Sequence, residues 1–375
     1  MCKDNSTTMR FNKLLAALLT ILISACIPAA AQLTPTEPDP LARIRDAAAA
    51  NVQACSATGE TLCEQVAPKI IANAQGNSPL TDNLRHLRAD LATKNKSVEM
   101  ERAIAWAIAA FREAGLDPHV ERYANPNGGP DEQQNVVAEY RGRENPDEWV
   151  LIGAHLAPRS TATGAIDNSC DAASVIDAAR DISLTAMHPK RSIRFVLFTG
   201  DERYTLSSWA YVRAHRAELD HARAAIFFHS GCYRVTGYSV NGRLEIGSGV
   251  SEAMKPIESL GATHFVTGTT IGNDDFDFLL EGIPTLTAFP VLMPVSVDSP
   301  MPDPKSGGAG MADLKHNIAV VAVTAFGIAE RTVPIGRRQS RAEIESLLKP
   351  KGQDDSMKTS GIWSLWESGE RGRLP

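Results

Sequence analysis

From residue 135 onward, short apolar runs alternate with longer stretches of helical period. The runs at 135–140, 149–154, 193–199 and 224–228 are short enough for strands and too uniformly apolar to leave a solvent face. Residues 172–184 and 206–217 predict helices between them. Buried runs separated by helices predict an α/β fold, a mostly parallel twisted sheet with helices on both faces, in a single domain. The turn Gly282-Ile283-Pro284 leads into a last strand at 285–289, and 311–329 predicts a final amphipathic helix. Upstream, 41–54 reads as helical. At 98–114 the residues Met100, Ile104, Ala107, Ile108 and Phe111 recur at helical spacing until Gly115 stops them.

The ends of the chain read differently. Arg10 and Lys13 precede an apolar run at 14–23 followed by small residues, the pattern of a secretory signal over 1–31. That run is about half of the ~20 residues needed to span a bilayer, and no later segment reads as long enough. Ala29-Ala30-Ala31 fits ordinary cleavage, while Ile23-Ser24-Ala25-Cys26 fits a lipoprotein box that would anchor Cys26 to a membrane. Residues 32–40 are rich in Pro and Thr and read as a tether, 41–333 as the folded domain, and 334–375 as a polar tail outside the core. Within that tail a short helix is expected at 341–348, and Trp363 and Trp366 stand near its end.

The chain has 375 residues, of which 43% are hydrophobic and 22% charged, enough for a sizeable core. A net charge of -6 without a basic cluster gives no footprint for nucleic acid or for an anionic membrane surface. An exported chain may form disulfides. Cys55 and Cys63 flank Gly59 and suit a local bridge. Cys170 and Cys232 suit a disulfide or a buried thiol pair, with thiolate ligation of a metal as the alternative.

Three of the apolar runs end on metal-ligand residue types: VLIGAH on His155, FVLFTGDE on Asp201 and Glu202, and AAIFFH on His229. Ligands bind open α/β sheets at the carboxyl ends of the strands, so these side chains are expected to converge. Asp167 is a fourth candidate, in the turn Gly164-Ala165-Ile166-Asp167-Asn168 before a helix. Imidazoles and carboxylates are zinc ligands, and a hydrolytic site also needs a carboxylate to take a proton from water.

These residues carry a resemblance. The stretches SPLTDNLRHL, NVVAEYRGRENPDEWVLIGAH, GAIDNSCDAASVIDAARD, RSIRFVLFTGDE, NDDFDFLLEGIPTL and LKHNIAVVAVTAFGIAE are similar to the zinc exopeptidases of the bacterial leucyl aminopeptidase, aminopeptidase Y and carboxypeptidase Q type. The resemblance implies that His155, Asp167 and Glu202 are metal ligands, that His229 replaces a ligating aspartate, and that Asp201 stands where the family has a glutamate base. It also implies that Asp274 lines the substrate pocket, the alternative being a loop acid that caps the following helix. The family pattern is broken at Ala157, where an aspartate orients the first histidine, and at 291–312, which lacks the last ligand histidine. His264 and His316 read as surface residues, the alternative for His264 being a replacement ligand if its loop folds inward. Two carboxylates, Asp167 and Glu202, balance the charge of one zinc ion, so one zinc or none is expected. The activity so implied is removal of residues from a peptide end by a zinc-activated water. The alternative is an inactive pseudopeptidase that keeps the fold and binds peptides or a partner protein.

Overall fold

The structure, a computed structural model, describes residues 62–90, 96–156, 162–199, 205–290, 309–349 and 352–374. Of Asp167 only its place in a helix is described, and Asp201 and Glu202 lie outside the described residues, as do the expected signal, tether, first helix, and the expected pairing of Cys55 with Cys63.

The helices α1 (Leu62–Gln75), α2 (Leu80–Asp90) and α3 (Lys96–Glu113) lead into β1 (His119–Tyr123), β2 (Gln133–Tyr140) and β3 (Asn145–His155). Helix α4 (Ala162–Ser183) and β4 (Arg191–Phe198) follow, then α5 (Leu206–Ala214), β5 (Ala222–Phe228), β6 (Gly237–Ser239), α6 (Gly247–Met254) and β7 (His264–Val266). The described chain ends with α7 (Asp274–Leu280), β8 (Thr285–Phe289), α8 (Ala309–Glu330), α9 (Arg341–Leu348), α10 (Gln353–Thr359) and α11 (Ile362–Ser368). The strands form one eight-stranded sheet in the order β1-β2-β4-β3-β5-β8-β6-β7. Its centre, β4-β3-β5-β8, is parallel, and the pairs β1-β2, β2-β4 and β6-β8 are antiparallel.

Side chains alternate between two faces of the central strands. Val150, Ile152 and Ala154 of β3, Ile193, Phe195 and Leu197 of β4, and Ala224, Ile226 and Phe228 of β5 face a core built with α1, α2, α3, α4, α6 and α8. Trp149, Leu151, Val196, Phe198, Ala225 and Phe227 face a second core with Tyr211 and Val212 of α5 and Phe278 of α7. This two-sided burial is why the strands read as unbroken apolar runs. Gly153 lies between the rings of Phe198 and Phe227, and a Cβ there would stand about 3 Å from both.

Three expectations are corrected. The polar tail is not outside the core: Ile344, Leu348, Met357, Ile362 and Trp366 pack on Phe276, Leu279 and Leu280 of α7 as a third apolar cluster. Helix α9 has a full capping box between Ser340 and Glu343. The tail docks where Gln339 N–H donates to Gly282 O at 2.8 Å. Gly282 has φ +81° and no room for a Cβ, which would stand 2.4 Å from Gln339 O. Second, α4 begins at Ala162, so Asp167 lies in its early turns and not in a preceding turn. Its short residues resemble a turn locally, but the apolar face further along, Val175, Ile176 and Ala179, anchors one continuous helix. Third, residues 310–330 of α8 are long and apolar enough to cross a membrane. They are the sheet's buried covering helix, with Ile318, Val321 and Ala325 fully buried.

Candidate metal centre

His155 is the last residue of β3, the strand flanked by parallel neighbours on both sides. By alternation it shares a face with Trp149 and Leu151, the face covered by α5 and α7. There it meets the first residue of α7: His155 Nδ1 lies 2.9 Å from Asp274 Oδ2, and both side chains are buried. Asn273 takes the N-cap position of α7, so Asp274 is free of that duty. A carboxylate on Nδ1 fixes the tautomer in which Nδ1 carries the proton and Nε2 the lone pair. Asp274, 119 residues after His155, thus supplies a carboxylate to this ring.

The two residues line a cavity with Asn168, Asp171, Phe227, Phe228, His229, Asn273 and Asp275. It leaves about 20 Å³ for the centre of a water-sized sphere, enough for one such particle. A roomier hollow of about 200 Å³ adjoins it and shares Asn168, Asp171 and His229. His229 follows the last residue of β5 and is exposed, so it forms the rim while His155 forms the floor. Asp171 stands one turn after Asp167 on α4 and is buried at the cavity. Sequence reasoning passed over it, although the i, i+4 spacing places it near the face of Asp167. Asp275 is pushed up to about 6 by burial, against hydrogen bonds from Thr287 and Asn241 that favour its charged form.

A disulfide between Cys170 and Cys232 joins α4 to the loop after β5. Each cysteine is three residues beyond a candidate ligand, Asp167 or His229. The bridge therefore fixes the two walls of the cavity relative to each other and excludes thiolate ligation by this pair. The same loop is braced by Asn317, whose Oδ1 accepts from Val235 N–H at 2.7 Å and whose Nδ2 donates to Tyr233 O at 2.7 Å. His316 is not on the surface. It is buried, with Nε2 2.9 Å from Val235 O, and desolvation holds its pKa below the usual range. His264 is exposed on the edge strand β7, with its Nδ1 near Thr236 O, and does not line the cavity.

Among the described residues no three His, Cys, Asp or Glu side chains stand close enough to form a metal-binding group. The donor chemistry nonetheless suits zinc: one imidazole is held by a carboxylate in its ligating tautomer, and a second imidazole lies on the same cavity. Asp167, Asp201 and Glu202 contribute no described side chain to this comparison.

Residues 135–313 match the model of Peptidase family M28. Over this stretch, a little under half of the chain, it is similar to peptidase family M28, in line with the zinc-exopeptidase resemblance of its sequence. It is 27% identical over 150 residues to carboxypeptidase Q of Rattus norvegicus, a match covering 40% of this chain and 32% of that protein. The human carboxypeptidase Q is 25% identical over the same length. The match spans about a third of the length of these curated relatives. A peptidase M28 precursor from Shewanella amazonensis superposes with a TM-score of 0.61 at 17% identity, covering 75% of this chain and 99% of that one. A zinc aminopeptidase from Bacillus subtilis does so with 0.54 at 11% identity, covering 70% and 97%. The parallel sheet with its covering helices is therefore the M28 fold.

Proposed function

We propose that this chain is an exported, zinc-dependent exopeptidase that hydrolyses a peptide bond next to a chain end. The observation that carries the reading is His155, held by Asp274 at the carboxyl end of the central strand, in a cavity shared with His229. In this reading His155 and His229, with Asp167 and Glu202, would hold one zinc ion. A zinc ion held there would supply Lewis-acid activation of water. Asp201 accepts the proton of the attacking water and delivers it to the departing peptide nitrogen. Asp274 keeps the role of orienting His155, in place of the substrate contact expected from the sequence. Asp171 and Asn168 line the adjoining hollow, which would take the end residue of the peptide.

Export is supported by the signal-like first 31 residues and by the Cys170–Cys232 disulfide, a bond at home in an oxidising compartment. The test is hydrolysis of dipeptides blocked at one end only, with and without a chelator. Cleavage of carboxyl-blocked substrates alone identifies an aminopeptidase, and of amino-blocked substrates alone a carboxypeptidase. No chelator-sensitive cleavage of either sinks the proposal.

A further inference from the structure

Arg371, near the end of the chain, is 3% exposed although the segment around it is polar. Its guanidinium forks onto Asp277 of α7, with Nε 2.7 Å from Oδ1 and Nη2 3.0 Å from Oδ2. Nη2 also donates to Thr205 Oγ1, which itself donates to Asp277 Oδ2 at 2.9 Å. Ser208 Oγ donates to the same carboxylate oxygen at 2.8 Å, and the guanidinium lies over the ring of Trp209 at 5.0 Å. Neighbouring backbone groups hold the segment in place: Trp209 Nε1 donates to Glu370 O, Arg216 Nη2 to Gly372 O, and Arg373 N–H to Leu280 O.

Two groups meet at this one side chain. Asp277 lies three residues after Asp274, one turn along the same helix. Thr205 stands three residues after Glu202 and opens α5. It is a buried β-branched residue at φ +46°, a left-handed conformation that its surroundings must enforce. Its side chain does not cap α5 but is committed to Asp277 and Arg371.

We propose that Arg371 is a positioning residue for the metal centre: it locks the first turn of α7, and so the Asp274 carboxylate that orients His155, to the start of α5, where the segment bearing Asp201 and Glu202 ends. The catalytic half of this proposal rests on the exopeptidase reading. The orienting half does not.

The test uses the full chain, labelled uniformly with 15N, as Arg371→Lys and as the charge-neutral pair Arg371→Met with Asp277→Asn. The lysine variant keeps the charge and loses the fork. The double variant leaves no buried charge without a partner. His155 Nδ1–H is assigned by its loss in Asp274→Asn, and its exchange with water is compared with that of the Ile152 amide in β3. The expected result is that Nδ1–H exchanges about 10-fold faster in both variants while the Ile152 amide is unchanged, a local opening. On a cleaved peptide, kcat falls about 10-fold with KM unchanged. Nδ1–H exchange equal to wild type, or faster only in step with Ile152, overturns the proposal. A wild-type chain that cleaves no peptide defeats the functional reading alone, and the exchange measurement still decides the positioning role.

Discussion

Removing the Cys170–Cys232 bridge should cost stability that follows from chain length. The cysteines are separated by 62 residues. At that loop length the entropy lost by the cross-linked unfolded chain corresponds to about 4 kcal/mol at 25 °C. Both cysteines are buried, at 0% and 1% exposure, so alanine at each position leaves no polar group unsatisfied. With a urea m-value near 3 kcal/mol/M, the loss moves the unfolding midpoint down by about 1.3 M. The assay is urea unfolding of wild type and the Cys170→Ala, Cys232→Ala double variant, each with and without reductant. Under reductant the wild type should fall to the midpoint of the reduced variant. The same variant should bind zinc more weakly, because α4 and the loop after β5 are no longer tied. A midpoint shift below about 0.3 M, or thiol titration that finds both cysteines free in the oxidised protein, refutes the reasoning.

Asp274→Ala should weaken zinc binding about 10- to 100-fold by releasing the tautomer and orientation of His155, as read by calorimetric titration. Asp181 is pushed up to about 8, by burial first and then by the neighbouring charge of Asp177. A carboxyl raised in the folded state binds its proton more tightly there than in the unfolded chain, so its contribution to stability is lost as pH rises from about 4 to about 8. Asp181→Asn should therefore flatten the decline in melting temperature across that range, and an unchanged profile contradicts the assignment. Trp366 is fully buried in the cluster between tail and α7. Trp366→Ala should cost about 3–5 kcal/mol in urea unfolding. A change within error would return the tail to the role of an outlying extension.

The parts of the fold legible in the sequence are those specified by local pattern. The strands β2, β3, β4, β5 and β8 are apolar because each lies between two helical layers, and α3, α8 and α9 show their period or cap. The elements missed are short or locally ambiguous. Helix α1 carries Pro68 inside it, and β6 and β7 are three-residue strands at one side of the sheet, β7 its edge. Helices α10 and α11 expose most of their surface and bury only Met357, Ile362 and Trp366, too few positions to show a period. The tail is held by Arg371 and Trp366, whose partners lie far away in sequence.

The site divides in the same way. The meeting of His155 and His229 on one cavity was legible because strand ends in such a sheet converge by geometry. The pairing of His155 with Asp274 spans 119 residues, and no local spacing announces it. Burial of His316 was hidden for a related reason: the helix α8 is apolar nearly all round, so its polar residues give no sign of which side meets the loop at Val235.

The account rests on a metal centre built around His155, and the most direct measurement is zinc per chain by elemental analysis after dialysis against trace zinc. It predicts about one ion in the wild type, lost in His155→Ala and in Asp167→Ala and kept in His264→Ala, as for a single set of ligands. No zinc in the wild type, or zinc that survives His155→Ala, contradicts it.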